Sequence, residues 1–154
     1  MSQSLREQIM QQVKDAMKAG DKPRVSALRL MQAAIKDRDI ASRTDGRNEG
    51  VSDAEIMDVF TKMVKQRRES ADLYEKGGRP ELAAQEKSEI AVIESFMPKQ
   101  LSEAETRAAI EAVMKEIGAS SIKDMGRVMA ELKKRHAGQI DFAQAGAVAK
   151  SLLG

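Results

Sequence analysis

The sequence predicts an all-α protein, and three observations carry that prediction. Ala, Glu, Lys, Gln, Met and Leu dominate the 154 residues, and these residues lose least on entering a helix. Capping residues and glycine stops recur along the chain at helical intervals. Period-2 alternation is never sustained, so little is left for a sheet.

Each element can be justified in order. Ser4-Leu-Arg-Glu7 has capping-box spacing, a stripe follows at Leu5, Ile9, Val13, Ala16 and Met17, and Gly20 is the stop. Asp21 caps a second helix with Pro23 in its first turn, where a missing N–H does no harm. Its middle, Ala27 to Ile35, is apolar on most sides and calls for neighbours on more than one face. Thr44 to Gly50 is turn-rich and reads as a mobile loop. Ser52 and Glu55 restart the helix with a second capping box, and Ile56, Val59, Phe60, Met63 and Tyr74 share one side of it. Gly77-Gly78 closes that helix, and Pro80 opens a fourth running to about Phe96.

Met97-Pro-Lys-Gln-Leu101 is the expected domain boundary. Its proline disfavours helix at Met97, and Ser102 with Glu105 forms a fresh box. Three shorter helices follow. They carry Ile110, Val113, Met114 and Ile117 up to Gly118; Met125, Val128, Met129 and Leu132 up to Gly138; and, behind an Asp141 cap with Gln144 three residues on, Phe142, Ala145, Val148, Ala149 and Leu152. The expectation is a four-helix domain over 1–97 followed by a three-helix domain over 101–154.

The charge balance narrows the function. With 26 basic and 24 acidic residues the net charge is +2, and the excess is spread evenly along the chain. A free-standing electrostatic nucleic-acid binder carries more, so any RNA contact needs a local patch. The absence of cysteine excludes disulfides and thiolate metal sites and fits a reducing compartment. There is no charged-then-apolar leader and no run of about 18 apolar residues. The expectation is a cytoplasmic protein with no membrane and no metal partner and no cofactor.

Lys65-Gln-Arg-Arg68 raises the choice between a nucleic-acid surface and a helix hairpin. Arg67 falls within the apolar stripe of its helix, whereas Lys65 and Arg68 fall outside it. On the outer face Asp58/Lys62, Lys65/Glu69, Arg68/Asp72 and Asp72/Lys76 stand at i,i+4, the mark of a solvated surface. The fourth helix mirrors the anomaly: Glu86 and Glu89 sit within the Leu82, Ile90, Ile93, Phe96 stripe. A fold-back at Gly77-Gly78 sets Arg67 opposite Glu86 and Glu89, which predicts a structural ion-pair cluster that fixes register.

The C-terminal half holds the RNA candidate. On a helix starting near Ser121, Lys123, Arg127 and Lys134 share a face opposite Met125, Met129 and Leu132. Lys133 lies on the side of Gly126, whose missing Cβ would let a phosphate or another helix approach closely. A basic stripe with a glycine window suits RNA backbone contacts, and a solvated face with a packing glycine suits the same residues. No aromatic interleaves these cations, so base stacking is not indicated. His136 reads as a core-edge imidazole at a helix C-terminus. One histidine and no cysteine support neither a nucleophilic triad nor a zinc site, and no catalytic residue is assigned. The methionines read as core filling.

Leu28-Arg-Leu-Met31 with Ala34-Ile-Lys36, Lys65-Gln-Arg-Arg-Glu-Ser70 and Phe96-Met-Pro-Lys-Gln-Leu-Ser102, together with Met125-Gly-Arg-Val-Met129, Gly138, Asp141 and Val148, resemble the YqeY family over essentially the whole chain. The C-terminal residues also resemble, more loosely, the helical tail of the B subunit (GatB) of the glutamine-dependent aminoacyl-tRNA amidotransferase. In that enzyme the chemistry sits in a catalytic cradle and a glutaminase partner, while the tail contacts tRNA. This chain has no counterpart of the cradle. The resemblance therefore implies a non-catalytic module associated with tRNA or with a tRNA-processing or aminoacylation protein. A helical protein-interaction or assembly factor is the alternative. A component of a glutamine-dependent carbon–nitrogen ligase, the tRNA amidotransferase, comes third, because that label would be inherited from the larger subunit.

Overall fold

The computed structural model describes residues 3–46 and 48–154, and among these it contains seven α-helices, two short 3-10 turns and no strand. The chain divides into two compact units, Met1–Met97 and Pro98–Gly154.

The first unit holds α1 (Leu5–Ala19), α2 (Lys22–Ser42), α3 (Asp53–Lys76) and α4 (Pro80–Glu94). Ser52 and Glu55 close a reciprocal capping box on α3. At α1 only the Ser4 half is made, its Oγ accepting from Glu7 N at 3.3 Å. The helices form two antiparallel hairpins, α1–α2 and α3–α4, and α2 also packs on α3 and α4. The core runs through Ile9, Leu28, Met31, Ile56, Phe60 and Ile93, each all but inaccessible. Such burial stabilises by about 1.5–3 kcal/mol per large side chain before chain entropy is counted.

Several boundaries differ from expectation. No breaker stands between Pro23 and Gly46, so α2 runs on to Ser42 and tightens into a 3-10 turn, Arg43–Asp45. Arg47 of the expected Thr44–Gly50 loop lies outside the described residues. α4 ends at Glu94, and Phe96 reaches the core from the following turn, its ring centroid 6.5 Å from that of Phe60. Met17, expected in the core, is 55% exposed. Its helix packs chiefly on α2, and the buried stripe of Leu5, Ile9 and Ala16 is narrower than the apolar pattern suggested.

The second unit holds α5 (Glu103–Ile117), a 3-10 turn (Ile122–Asp124), α6 (Met125–His136) and α7 (Phe142–Leu153) around Ile110, Val113, Val128, Leu132, Ala145 and Ala149. Ser102 and Glu105 make a full capping box, and Asp141 caps α7 through Ala143 N. Residues 99–101 are bonded to the turn after α6. Leu101 N donates to Gln139 O at 2.9 Å, Gln139 Nε2 to Lys99 O at 3.2 Å, and Gln100 Nε2 to Gly138 O.

Candidate functional site

The entry to α6 is built by Asp124. Its carboxylate accepts from Ser120 N and Ser121 N at 3.0 and 3.2 Å, and these donors hold its pKa below the usual carboxylate range. The cost of satisfying both amides is a tight 3-10 turn, so α6 begins at Met125 rather than near Ser121. Lys123 therefore rides on that turn, ahead of the helix carrying Arg127 and Lys134.

The predicted stripe divides by chemistry. Arg127 is occupied: Nη2 donates to Ile117 O at 2.8 Å and Nη1 sits 3.2 Å from Asp124 Oδ1. Ile117 ends α5, where carbonyls lack intrahelical donors and the helix dipole is negative, so the guanidinium caps α5 and fastens α6 to it. Arg135, not foreseen as a site residue, is a second fastener, 2.5 Å from Glu116 of α5 and 2.9 Å from Glu131. Those two carboxylates raise its pKa, Glu116 more than Glu131. Lys133 is exposed with its Nζ 5.8 Å from the Phe142 ring centroid. Lys123 and Lys134 are exposed, and neither meets a carboxylate among the described residues.

Gly126 is exposed, and a Cβ added there would meet nothing within 4 Å. By contrast, a Cβ on Gly146 of α7 would touch Met125 and Met129 at 3.8 and 3.9 Å. Gly126 thus packs against nothing, although glycine inside a helix costs about 0.5–1 kcal/mol relative to alanine. One turn on, the exposed Ala130 continues the smooth surface. On the α6 wheel this strip runs between Lys133 on one side and Lys134 on the other. His136 ends α6 half-buried, its Nδ1 3.1 Å from Gln139 Oε1.

In the first unit, Arg67 Nε lies 3.0 Å from Glu89 Oε2, with the two side chains 16% and 19% exposed. Arg67 Nη1 also reaches Met63 O at 3.5 Å. Glu86, one turn earlier and half-buried, takes no part in this bond. Arg68 pairs across the hairpin with Glu94 at 3.0 Å instead of along its helix with Asp72, and Lys87 meets Glu75. Of the i,i+4 pairs anticipated on α3, Asp58 and Lys62 stand 3.3 Å apart. The arginines of Lys65-Gln-Arg-Arg68 are therefore engaged inside the hairpin.

One cluster was not anticipated from the sequence. Arg6 Nη1 and Nη2 grip Asp39 at 2.8 and 2.6 Å, Nη2 also donates to Val51 O at 3.1 Å, and Asp39 Oδ1 accepts from Val51 N at 2.9 Å. The Arg6 bond and the Val51 amide hold Asp39 below its ordinary pKa, against an opposing push from burial. A signal was present: Asp39 continues the Leu28–Gln32–Ile35 line at helical spacing, which marks a carboxylate turned toward neighbours.

Among the described residues no three His, Cys, Asp or Glu side chains are grouped to hold a metal ion. No helix among them is long and apolar enough to cross a membrane.

The profile of the YqeY-like protein family matches residues 6–153. The Altered inheritance of mitochondria protein 41 of Eremothecium gossypii is 34% identical over 89 residues, covering 58% of this chain and 46% of the relative. The protein of the same name from Lachancea thermotolerans is 28% identical over 111 residues, covering 71% and 57%. The Saccharomyces cerevisiae protein is 31% identical over 85 residues, covering 55% and 44%. The chain thus spans about half the length of these relatives. Their names place them in mitochondria, which overturns the expectation of a cytoplasmic protein drawn from composition. Lack of cysteine reports compatibility with reducing conditions and cannot specify a compartment.

Proposed function

This chain belongs to the YqeY-like family, and on that premise we propose that it is a non-catalytic helical module that associates with tRNA through α6 of its second unit. The observation that carries the reading is Gly126: a helical glycine open to solvent, with no internal packing reason, between lysines that have no anionic partner. A phosphodiester backbone needs close approach to a smooth surface and ammonium groups on both flanks, and this face offers both. The resemblance to the amidotransferase tail runs through the same residues. The chain has no counterpart of the amidotransferase cradle, so a glutamine-dependent amidation assay of the chain alone should be blank.

The test is a titration of labelled tRNA at several salt concentrations. Lys123, Lys133 and Lys134 are changed together to alanine, and Gly126→Leu is made separately. Arg127 is left in place because its loss would uncap α5 and confuse folding with binding. Each lost phosphate contact lowers the log–log salt slope by about 0.7–0.9. Gly126→Leu should weaken binding about tenfold, or ~1.4 kcal/mol, without removing a charge. Unchanged affinity and slope in both folded variants would overturn the reading.

A further inference from the structure

We propose that the outer seam of the α1–α2 hairpin docks an acidic amphipathic helix of a partner protein. This inference is independent of the tRNA reading and concerns the other unit.

Large apolar side chains remain in water on this hairpin. Met10 and Met17 of α1 are each 55% exposed, and Leu30 and Ile40 of α2 nearly as much. Their placement is ordered. Arg29 Nη2 lies 3.9 Å from Met17 Sδ across the seam. Seven residues back along α1 stands Met10, and seven residues on along antiparallel α2 stands Lys36. By register, the same two-turn step of about 10.5 Å puts a second methionine on the seam face of α1 and a second cation on that of α2. At the turn end of the seam, beside Met17, lies an open groove lined in part by Met17, Lys22, Val25 and Arg29. A helix laid along such a groove presents anchors at i, i+3 or i+4, and i+7, the interval of the two methionines.

The rim selects the occupant. Lys14, Lys22, Arg29 and Lys36 meet no carboxylate among the described residues. Of the acids on these helices, Asp39 is bound to Arg6 and Asp15 bonds Gln11. By helical position Glu7 and Asp37 alone share the seam side. A cationic rim over a thioether and aliphatic floor matches a helix whose apolar stripe is flanked by glutamate or aspartate. Thioethers give a phosphate no donor, which disfavours nucleic acid here. Met17 and Val25 line a groove between two helices rather than one convex face, which disfavours a bilayer. Unbranched methionine adapts to the partner's side chains.

The probe is a synthetic helical peptide of about five turns, with leucine at the anchor positions and glutamate on the flanks. A second peptide carries lysine in place of glutamate, and vesicles containing anionic phospholipid form a third arm. The full chain carries carbon-13 in its methionine methyls. The acidic peptide should shift the Met10 and Met17 signals and leave the core methionines Met31 and Met63 in place. Arg29→Glu with Lys36→Glu should weaken the acidic peptide at least tenfold and make the lysine peptide the better ligand. Met10→Ser with Met17→Ser, which leaves every charge intact, should weaken the acidic peptide independently. Equal binding of both peptides overturns the proposal. So do unmoved Met10 and Met17 signals, displacement of the peptide by vesicles, or self-association that covers these methyls without peptide.

Discussion

Replacing Arg67 with methionine keeps most of the apolar stem and removes the guanidinium that joins α3 to α4. At 16% and 19% exposure the Arg67–Glu89 pair is neither a surface pair nor a sealed one. At the observed 3.0 Å separation and an effective dielectric of about 20, the gross attraction is about 5 kcal/mol, much of which desolvation cancels. Exposed pairs are worth up to about 1 kcal/mol, and breaking a fully buried one costs about 3–5, so Arg67→Met should cost about 2 kcal/mol. The assay is urea unfolding of the full chain followed by far-ultraviolet circular dichroism. Arg67→Met with Glu89→Leu should recover most of the loss, because the stranded carboxylate is gone. Arg67→Lys should fall between, keeping charge but not the fork that also reaches Met63 O. A loss below about 0.5 kcal/mol for Arg67→Met, or a double variant less stable than the single, would refute the assignment of this pair as the hairpin's register lock.

Three further outcomes follow from the first unit and the boundary. Gly50 has φ +85 and an added Cβ would lie 3.0 Å from Asp39 Oδ1 and 3.1 Å from Arg6 Nη2, so Gly50→Ala should cost at least the ~1–2 kcal/mol of left-handed backbone strain; a neutral result in thermal unfolding would refute the contact. Because the folded Asp39 pKa is depressed, its contribution is present above the unfolded value of about 3.9 and is lost as pH falls through the folded value. Stability of Asp39→Asn should therefore fall less steeply than that of the parent between about pH 5 and pH 2, as read from urea midpoints across that range. Limited proteolysis should cut first between Thr44 and Gly50 and next near Met97, releasing a folded 98–154 piece; an initial cut inside α1 or α3 would contradict the two-unit division.

The helices were legible because their ends carry chemistry of their own. Ser52 with Glu55 and Ser102 with Glu105 announce starts through local bonds that owe nothing to the rest of the fold. The Arg67–Glu89 bond was readable because a charge inside an apolar stripe needs a counter-charge, and the Gly-Gly turn brings a carboxylate in the facing stripe opposite it. What escaped depends on distant partners. Arg6, Asp39 and Val51 meet only once three segments assemble. The exposure of Met17 and Leu30 was hidden because an apolar pattern shows which side chains prefer burial, not how many neighbours arrive to bury them. The start of α6 was misplaced because Asp124 captures two amides and tightens the turn, a competition that helical periodicity cannot register.

Which cations already hold a carboxylate, as Lys62 and Lys87 do besides several arginines, decides where a partner can be sought. Arg6, Arg67, Arg68, Arg127 and Arg135 each hold a carboxylate within the fold, and Arg67 and Arg127 add a backbone carbonyl. The planar guanidinium fork suits it to such fixed, multidentate joints. Lys14, Lys22, Lys36, Lys123 and Lys134 meet no carboxylate among the described residues. Their ammonium groups are point charges on flexible stems, suited to a phosphate or a partner's glutamate whose position varies. A net charge of +2 understates what this surface offers locally, because several of the acids in that sum are already held by arginine. Arg29 departs from the pattern: it meets Met17 sulfur rather than a carboxylate, and it lies on the seam of the α1–α2 hairpin. A guanidinium without a carboxylate, set among Lys14, Lys22 and Lys36 that also lack one, is the reason to look for an acidic partner there.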